Sequence, residues 1–497
     1  MFKRFHIHNK TAELPVKPIS KFKILREDFC LNCGQCIKTC IYEVHRRSDK
    51  DARIMADPEH LRCKNCFRCI QECPTQALYK IINPDWKKMG NSYWTPSIIS
   101  TLWYESETGE IPVLGAGYRG KFGGDGFDGM WTDMSEIVRP TRDGIHGREY
   151  INVSVDIGRK LPFLEFDDNR NLTSTTPPLL EIPLPIIFNP LFLPNEQPAP
   201  LALQKSVIEA SKELGTLAMV EHRINLDGEL LDVRVPASDT NSLAPDTSNP
   251  KLLEITATTL SDPEIIPDIR RDRRDGVYPA SAGLRLRNII KLWAKLKKKY
   301  PQTLISLRLP FQPKIAEAVK HLVNSDIEVI HLYADSQGRE LYTNSPRFIK
   351  ESIREVHQAL VAEEKRDEVT LIVSGGIAMA EHMAKAIICG ADLVAIDTSC
   401  LVALGCCLCK ECNFAQCPQG LNNLPVCRPV PDGTGRSDEH LSTTKQRIVN
   451  LMSAWHNQLL EILGAMGLRE VRRLRGETGR AMFQEDMEKE FVHNLTV

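Results

Sequence analysis

Residues 30–40 read CLNCGQCIKTC and residues 63–73 read CKNCFRCIQEC, so the spacing C-x2-C-x2-C-x3-C occurs twice in close succession, the second time followed by Pro74. A tight loop with this spacing wraps three thiolates around one corner of an iron–sulfur cube. Zinc also binds paired C-x2-C motifs, but it needs only four thiolates per tetrahedral site, and here two complete four-cysteine runs stand in the same order. The chain has 16 cysteines: one group runs from Cys30 to Cys73, another from Cys389 to Cys427, and none lies between. Disulfides are improbable in a reducing compartment, so the clustering calls for metal.

The first 84 residues resemble a bacterial-type dicluster ferredoxin domain, with Ile41 replacing the usual proline after the first run and a long connector between the runs. In such domains the fourth cysteine of each run crosses to the other cluster. The resemblance implies one 4Fe-4S cluster on Cys30, Cys33, Cys36 and Cys73, and a second on Cys63, Cys66, Cys69 and Cys40.

Residues 85–180 are rich in glycine and aromatics and read as an irregular, partly β connecting region. Within it Gly115 to Gly120 fits G-x-G-x-x-G, but KFGGDGFDG follows, which cannot open the helix of a nucleotide-binding unit. Prolines at 177, 178, 183, 185, 190, 194, 198 and 200 forbid a long helix and mark a boundary near residue 180. Over residues 181–405, apolar runs (IPLPIIF, LLEITA, TLISLRL, IEVIHLY, TLIVSGG, ADLVAID) alternate with amphipathic helical stretches. Such runs suit buried parallel strands, and six or more βα units in a row favour an α/β fold of the (β/α)8 barrel type. The polar stretch PASDTNSLAPDTSNP and the charged IRRDRRD read as surface loops. Residues 431–497 read as a helical region, with apolar residues from Ile448 to Leu463 at helical spacing and Thr443 with Gln446 as a capping box.

Between barrel and tail, residues 406–430 carry a second metal motif. Gly405, Cys406, Cys412, Cys417, Pro418 and Gly420 form G-C-x5-C-x4-C-P-x-G, and Cys409 lies among them. This resembles the loop that ligates a 3Fe-4S cluster at the end of the flavin-binding barrel in glutamate synthases. Three thiolates suit a cube lacking one iron, and Cys409 is placed to supply a fourth and complete a 4Fe-4S cluster. Cys389, Cys400, Cys407 and Cys427 read as ordinary buried thiols.

The resemblance runs back over roughly residues 90–475 and, with the ferredoxin segment in front, matches the archaeal-type glutamate synthase core. It implies FMN on the barrel, its phosphate over the loops after the last two strands, where Ser374, Gly375 and Gly376, and Thr398 and Ser399, stand. The alternative for the glycine pair is a plain turn. Arg308 falls where the family carries a lysine beside flavin and substrate; its alternative is a structural ion pair. His146 and His331 lack partner spacing and read as structural. At three places where the family's pocket motifs are expected, this chain has ELGTLAMVEHRI, RRDGVYPASAG and ADSQGREL.

The implied activity is reduction of the imine of 2-oxoglutarate and ammonia to L-glutamate by FMN, fed from the ferredoxin segment. Two alternatives are an electron-transfer flavin and iron–sulfur subunit of a larger redox complex without that activity, and a barrel without flavin. No cysteine precedes Cys30, so a glutaminase and an NAD(P)H-oxidising subunit are expected to be separate partners, alongside a redox partner protein or ferredoxin. Lys plus Arg number 63 against 64 Asp plus Glu, giving no general attraction to nucleic acid or anionic membrane. No apolar run is long enough to span a bilayer and no signal peptide opens the chain, so the expected location is cytoplasmic.

Overall fold

The computed structural model describes residues 5–16, 18–112, 126–132, 151–174, 176–226, 229–237, 250–257, 286–409 and 436–496. Strands β1 (Phe22–Arg26) and β2 (Leu78–Ile82) pair antiparallel, Phe22 opposite Ile82 and Arg26 opposite Leu78, and both four-cysteine runs lie between them in sequence. The runs fold alike. Asn32, Gly34 and Glu43 have positive φ, and so do Asn65, Phe67 and Gln76 at the equivalent places of the second run. Asn and Gly tolerate this conformation, whereas Phe67 pays strain for it and is held by its neighbours. Phe22 meets its ring edge-on at 5.1 Å and the Lys80 ammonium lies 3.8 Å above it. Ile24, Met55 and Leu78 bury themselves with Cys36 and Cys69, so two of the eight thiols belong to this small core.

Short ribbons follow. β3 (Met130–Thr132) is paired by a strand near the C-terminus, and β4 (Val155–Ile157) pairs with β5 (Leu180–Ile182). The main sheet comprises β6 (Ile186–Phe188), β7 (Met219–Leu226), β8 (Glu229–Pro236), β9 (Leu252–Thr256), β10 (Leu304–Pro310), β11 (Val329–Tyr333), β12 (Thr370–Ser374) and β13 (Leu393–Ile396). Its order is β6-β13-β12-β11-β10-β9-β8-β7. A parallel bridge from Phe188 to Ala218 returns the approach to β7 to the side of β6, where the Phe188 N–H donates to Leu217 O at 2.8 Å. The curled sheet carries its helices outside, as the alternating pattern predicts. Every residue of β12 and β13 is buried, as expected of strands covered on both faces; they are apolar except for Thr370 and Ser374, whose hydroxyls are hydrogen-bonded. β14 (Ala481–Phe483) pairs with β3.

Four local expectations change. IPLPIIF is split, with β5 ending at Ile182 and β6 starting at Ile186 around Pro183 and Pro185, which lack ladder donors. The strands β7 and β8 were not anticipated; they pair antiparallel from Met219–Pro236 to Leu226–Glu229, so β8 runs against its neighbours. Their sequence signal is Asp227-Gly228 between two alternating runs, a hairpin signature. The connecting region contains a helix at Pro96–Thr108, capped by Thr95, whose side chain accepts from the Ile98 N–H at 3.3 Å. The tail helix begins at Arg436, so Thr443 and Gln446 lie inside it rather than at its start. There Thr444 Oγ1 bonds back to Leu441 O at 3.1 Å and across to Ser206 Oγ at 2.7 Å, so packing on helix Leu201–Leu214 carries the helix through that point.

Candidate metal centres and barrel mouth

Two cavities open in the N-terminal module. Cys30, Cys33, Cys36 and Cys73 line one; Cys40, Cys63, Cys66 and Cys69 line the other. The fourth cysteine of each run has crossed to the other's cavity. The crossing follows from the chain path, since helices Gln35–Thr39 and Arg68–Gln71 each carry their last cysteine away from the loop that holds the first three. All eight are free thiols, and Cys33 and Cys66 are exposed. Burial, then the nearby Cys40, Cys63, Cys66 and Cys36, push the Cys69 thiol up to about 12. A cation among these sulfurs would reverse that direction and deprotonate them. Two supports were not read from the sequence. Arg47 donates to Asn32 O at 2.6 Å, and the Asn32 side chain accepts from the Met55 N–H at 3.0 Å, bracing the first loop.

At the third motif, Cys406 and Cys407 are buried and Cys409 is half-buried; Cys412, Cys417 and Cys427 lie outside the described residues. The Leu408 N–H points at Cys406 Sγ at 3.4 Å. Three contacts brace this loop. Gly90 N–H donates to Cys407 O at 2.9 Å, Trp103 Nε1 donates to Val402 O at 3.0 Å, and the fully buried Arg447 donates to Ala403 O at 2.6 Å and Ala12 O at 2.7 Å. A few residues after Gly90, Tyr93 Oη donates to Gly376 O, and Trp94 Nε1 donates to Ser336 O at 2.7 Å. The segment leaving the N-terminal module therefore touches both the third cysteine loop and the loops at the C-terminal ends of β11 and β12.

Inside the barrel a polar chain crosses the strands. Glu254 of β9 accepts from His331 Nδ1 of β11 at 2.7 Å, and His331 Nε2 meets Ser374 Oγ of β12 at 2.9 Å. Arg234 of β8 and Arg308 of β10 approach Glu254 at 3.9 and 3.8 Å. Burial opposes the Glu254 charge, but His331, its hydrogen bond, Arg308 and Arg234 together bring the carboxyl down to about 2. Burial is the largest influence on His331 and lowers it, while Glu254 opposes that shift, so the imidazole and the two arginines act together on the carboxylate. Arg308 lies flat on Tyr333, 3.7 Å from the ring centre, and burial first, then Arg234, lowers it to about 10.

Of the residues expected at the phosphate, Ser374 is buried and committed to His331, and Ser399 is buried with its hydroxyl on Ile377 O. Gly375 and Gly376 have φ of 100° and 67°, and a Cβ on either would strike Asp335 O at 2.6 Å or Gly338 Cα at 2.7 Å. Their small size lets two loops pack together. Thr398 opens helix Thr398–Ala403, where Asp397 accepts from its N–H and hydroxyl. No sequence motif marks Asn189, which follows β6. It is 3% exposed, its N–H donates to Ile396 O at 2.9 Å, and among the described residues neither Nδ2 nor Oδ1 of its side chain has a partner. Arg308 Nε, 3.8 Å from Glu254 Oε1, is buried as well and makes no hydrogen bond among the described residues. Buried polar atoms left open at the carboxyl ends of strands are what a bound polar ligand satisfies.

The family model described as a conserved region in glutamate synthase matches residues 342–469. The archaeal-type glutamate synthase [NADPH] of Dehalococcoides mccartyi is 25% identical over 92% of this chain and 94% of its own. The archaeal glutamate synthase [NADPH] of Archaeoglobus fulgidus is 27% identical, covering 94% and 95%. Among solved structures, a flavocytochrome b2 variant with pyruvate bound aligns with 72% of this chain and 76% of that one, at 15% identity and a TM-score of 0.38.

Proposed function

We propose that this chain, which belongs to the glutamate synthase family, is an iron–sulfur flavoprotein that reduces the imine of 2-oxoglutarate and ammonia to L-glutamate. The observation that carries the reading is the pair of four-thiol cavities with exchanged fourth cysteines, in a chain whose relatives match it nearly end to end. Cys30, Cys33, Cys36 and Cys73 hold one 4Fe-4S cluster; Cys63, Cys66, Cys69 and Cys40 hold the other. Cys406, Cys412 and Cys417 hold a third, with Cys409 the fourth ligand if it has four irons. The divisions at residues 84, 180, 405 and 430 are the corresponding functional units.

At the barrel mouth, FMN would be held by backbone N–H groups of Gly375 and Gly376, by Asn189, whose open amide suits a ring edge or phosphate, and by Thr398 once its hydroxyl turns from Asp397 to the ligand. Bound there, it supplies hydride transfer to the imine carbon. Ser374 and Ser399 fix the loops from below. Arg308, kept in place by Tyr333 and Glu254, presents a charge that binds a substrate carboxylate or stabilises negative charge developing nearby. Tyr93 and Trp94 tie the connecting segment across the mouth, so metal-bearing loops and mouth are held together by hydrogen bonds rather than by a linker.

Among the described residues no helix is long and apolar enough to cross a membrane. NAD(P)H-oxidising and glutaminase functions belong to partner proteins in this reading. Protein purified without oxygen is assayed for iron, acid-labile sulfide and flavin, then for glutamate made from 2-oxoglutarate and ammonia with reduced methyl viologen. Glutamate formation supports the proposal. Flavin and iron present, electrons passed to an acceptor, and no glutamate made would replace it with an electron-transfer subunit.

A further inference from the structure

The two cysteine runs agree at every ligand and differ in what surrounds the ligands. Beside the first run stand Phe29, Leu31 and Gln35; at the equivalent places of the second stand Arg62, Lys64 and Arg68. Phe29 and Leu31 are 59% and 71% exposed, and Arg62, Lys64 and Arg68 are exposed too, so neither set serves a core. Lys64 and Arg68 line the cavity of Cys40, Cys63, Cys66 and Cys69, whereas Leu31 and Gln35 line the other. Arg62 is paired with Glu43 at 2.7 Å, but among the described residues no carboxylate pairs with Lys64 or Arg68. Lys80, over Phe67, adds a further charge beside the same loop.

We propose that the face around Cys66, marked by Lys64 and Arg68, is the docking surface for an acidic electron-carrier protein, and that electrons enter at this cavity rather than at its twin. The proposal rests on the cluster reading above and adds the port and the charge of the partner. Close to neutral overall, the chain offers no long-range pull of its own, so a local basic patch at one metal site is what steers an acidic protein there. The step is one electron: the carrier's reduced centre loses it and the cluster gains it, with no bond made or broken. The cation lining the twin cavity is Arg26, whose guanidinium is turned inward onto Met55 O at 2.9 Å and Ala56 O at 2.7 Å, so the face at Phe29 and Leu31 offers less charge to draw such a partner.

The test uses the full chain and an acidic two-iron ferredoxin. Its binding in the oxidised state is measured by calorimetry at about 20 and about 200 mM salt, where screening differs strongly. Bleaching of the visible iron–sulfur absorption is followed after mixing with the reduced carrier. Lys64→Glu with Arg68→Glu is expected to weaken binding and slow bleaching about tenfold or more at low salt, less at high salt, with reduction by dithionite unchanged. Leu31→Glu with Gln35→Glu is expected to leave the carrier's binding and rate within about twofold of wild type. Equal losses in both double variants, no loss in the first, or salt-independent binding would overturn the proposal. Iron content judges the cluster reading separately, while the binding constants judge the docking face with or without iron.

Discussion

Glu254 Oε2 and His331 Nδ1 lie 2.7 Å apart in the barrel interior, both fully buried, with one carboxylate compensating two arginines. Its removal strands their charges. Glu254→Gln is expected to cost about 3 to 5 kcal/mol of stability near neutral pH, the usual result of breaking a buried ion network from one side. The loss has a pH signature. The Glu254 carboxyl is lowered from 4.5 to about 2 in the folded chain, so the unfolded chain takes up the proton first as pH falls. Its stabilisation is complete above the unfolded value and drains away as pH falls toward the folded one. Unfolding in denaturant at several pH values checks this: the gap between wild type and variant narrows in acid, and a constant gap would refute the assignment.

Because the fourth cysteines are exchanged, paired substitutions distinguish cavities from runs. Cys30→Ser with Cys73→Ser removes two ligands of one cavity, and iron analysis is expected to fall by about one four-iron cluster. Cys63→Ser with Cys73→Ser lies within one run but damages both cavities, and is expected to cost about twice as much iron. The reverse ranking would mean that each run keeps its own cluster.

Asn189 gives a test of the mouth that glycine substitutions do not. A side chain at Gly375 or Gly376 collides with the loop at Asp335 to Gly338, so flavin loss there would follow from damaged packing as readily as from a blocked phosphate. Asn189→Leu keeps the branched outline and heavy-atom count and deletes the two polar atoms that lack partners among the described residues, so flavin-free protein should gain about 1 to 3 kcal/mol, while affinity for added FMN drops about tenfold or more. Fluorescence titration with FMN and thermal unfolding report the two effects. A stabilised variant with unchanged FMN affinity would remove Asn189 from the site.

Glu105, on helix Pro96–Thr108, is buried against helix Arg436–Ala465, accepting from Trp455 Nε1 at 3.1 Å and Gln458 Nε2 at 2.7 Å. Burial dominates and raises its carboxyl from 4.5 to about 8 despite those bonds. The folded chain thus retains a proton that the unfolded chain releases, and the associated stability, complete below the unfolded value, is lost as pH rises through the folded one. Glu105→Gln imitates the protonated form, and Gln458 can turn its amide to suit it. Relative to the variant, wild type should lose about 2 to 4 kcal/mol between pH 5 and pH 9 in thermal unfolding. A difference that does not move with pH would mean the carboxyl ionises freely.

What the sequence determined by itself is local. Three of the four thiols at each cavity come from one tight loop, so their spacing alone declares the chemistry, and the turns at Asn32 and Asn65 repeat it. β9 to β13 were legible because strands buried on both faces are mostly apolar, so their runs stand out even around Glu254, Arg308 and His331. The tertiary structure decided the rest. β7 mixes exposed with buried residues, and the antiparallel pairing of β7 and β8 within an otherwise parallel sheet interrupts the βα pattern. Arg234, Glu254, Arg308, His331 and Ser374 sit on five strands, and only strand register sets them at one level of the barrel. No local pattern marks Asn189 as unsatisfied or Glu105 as protonated, because both properties come from what surrounds the side chain, and those surroundings are brought there by chain distant in sequence.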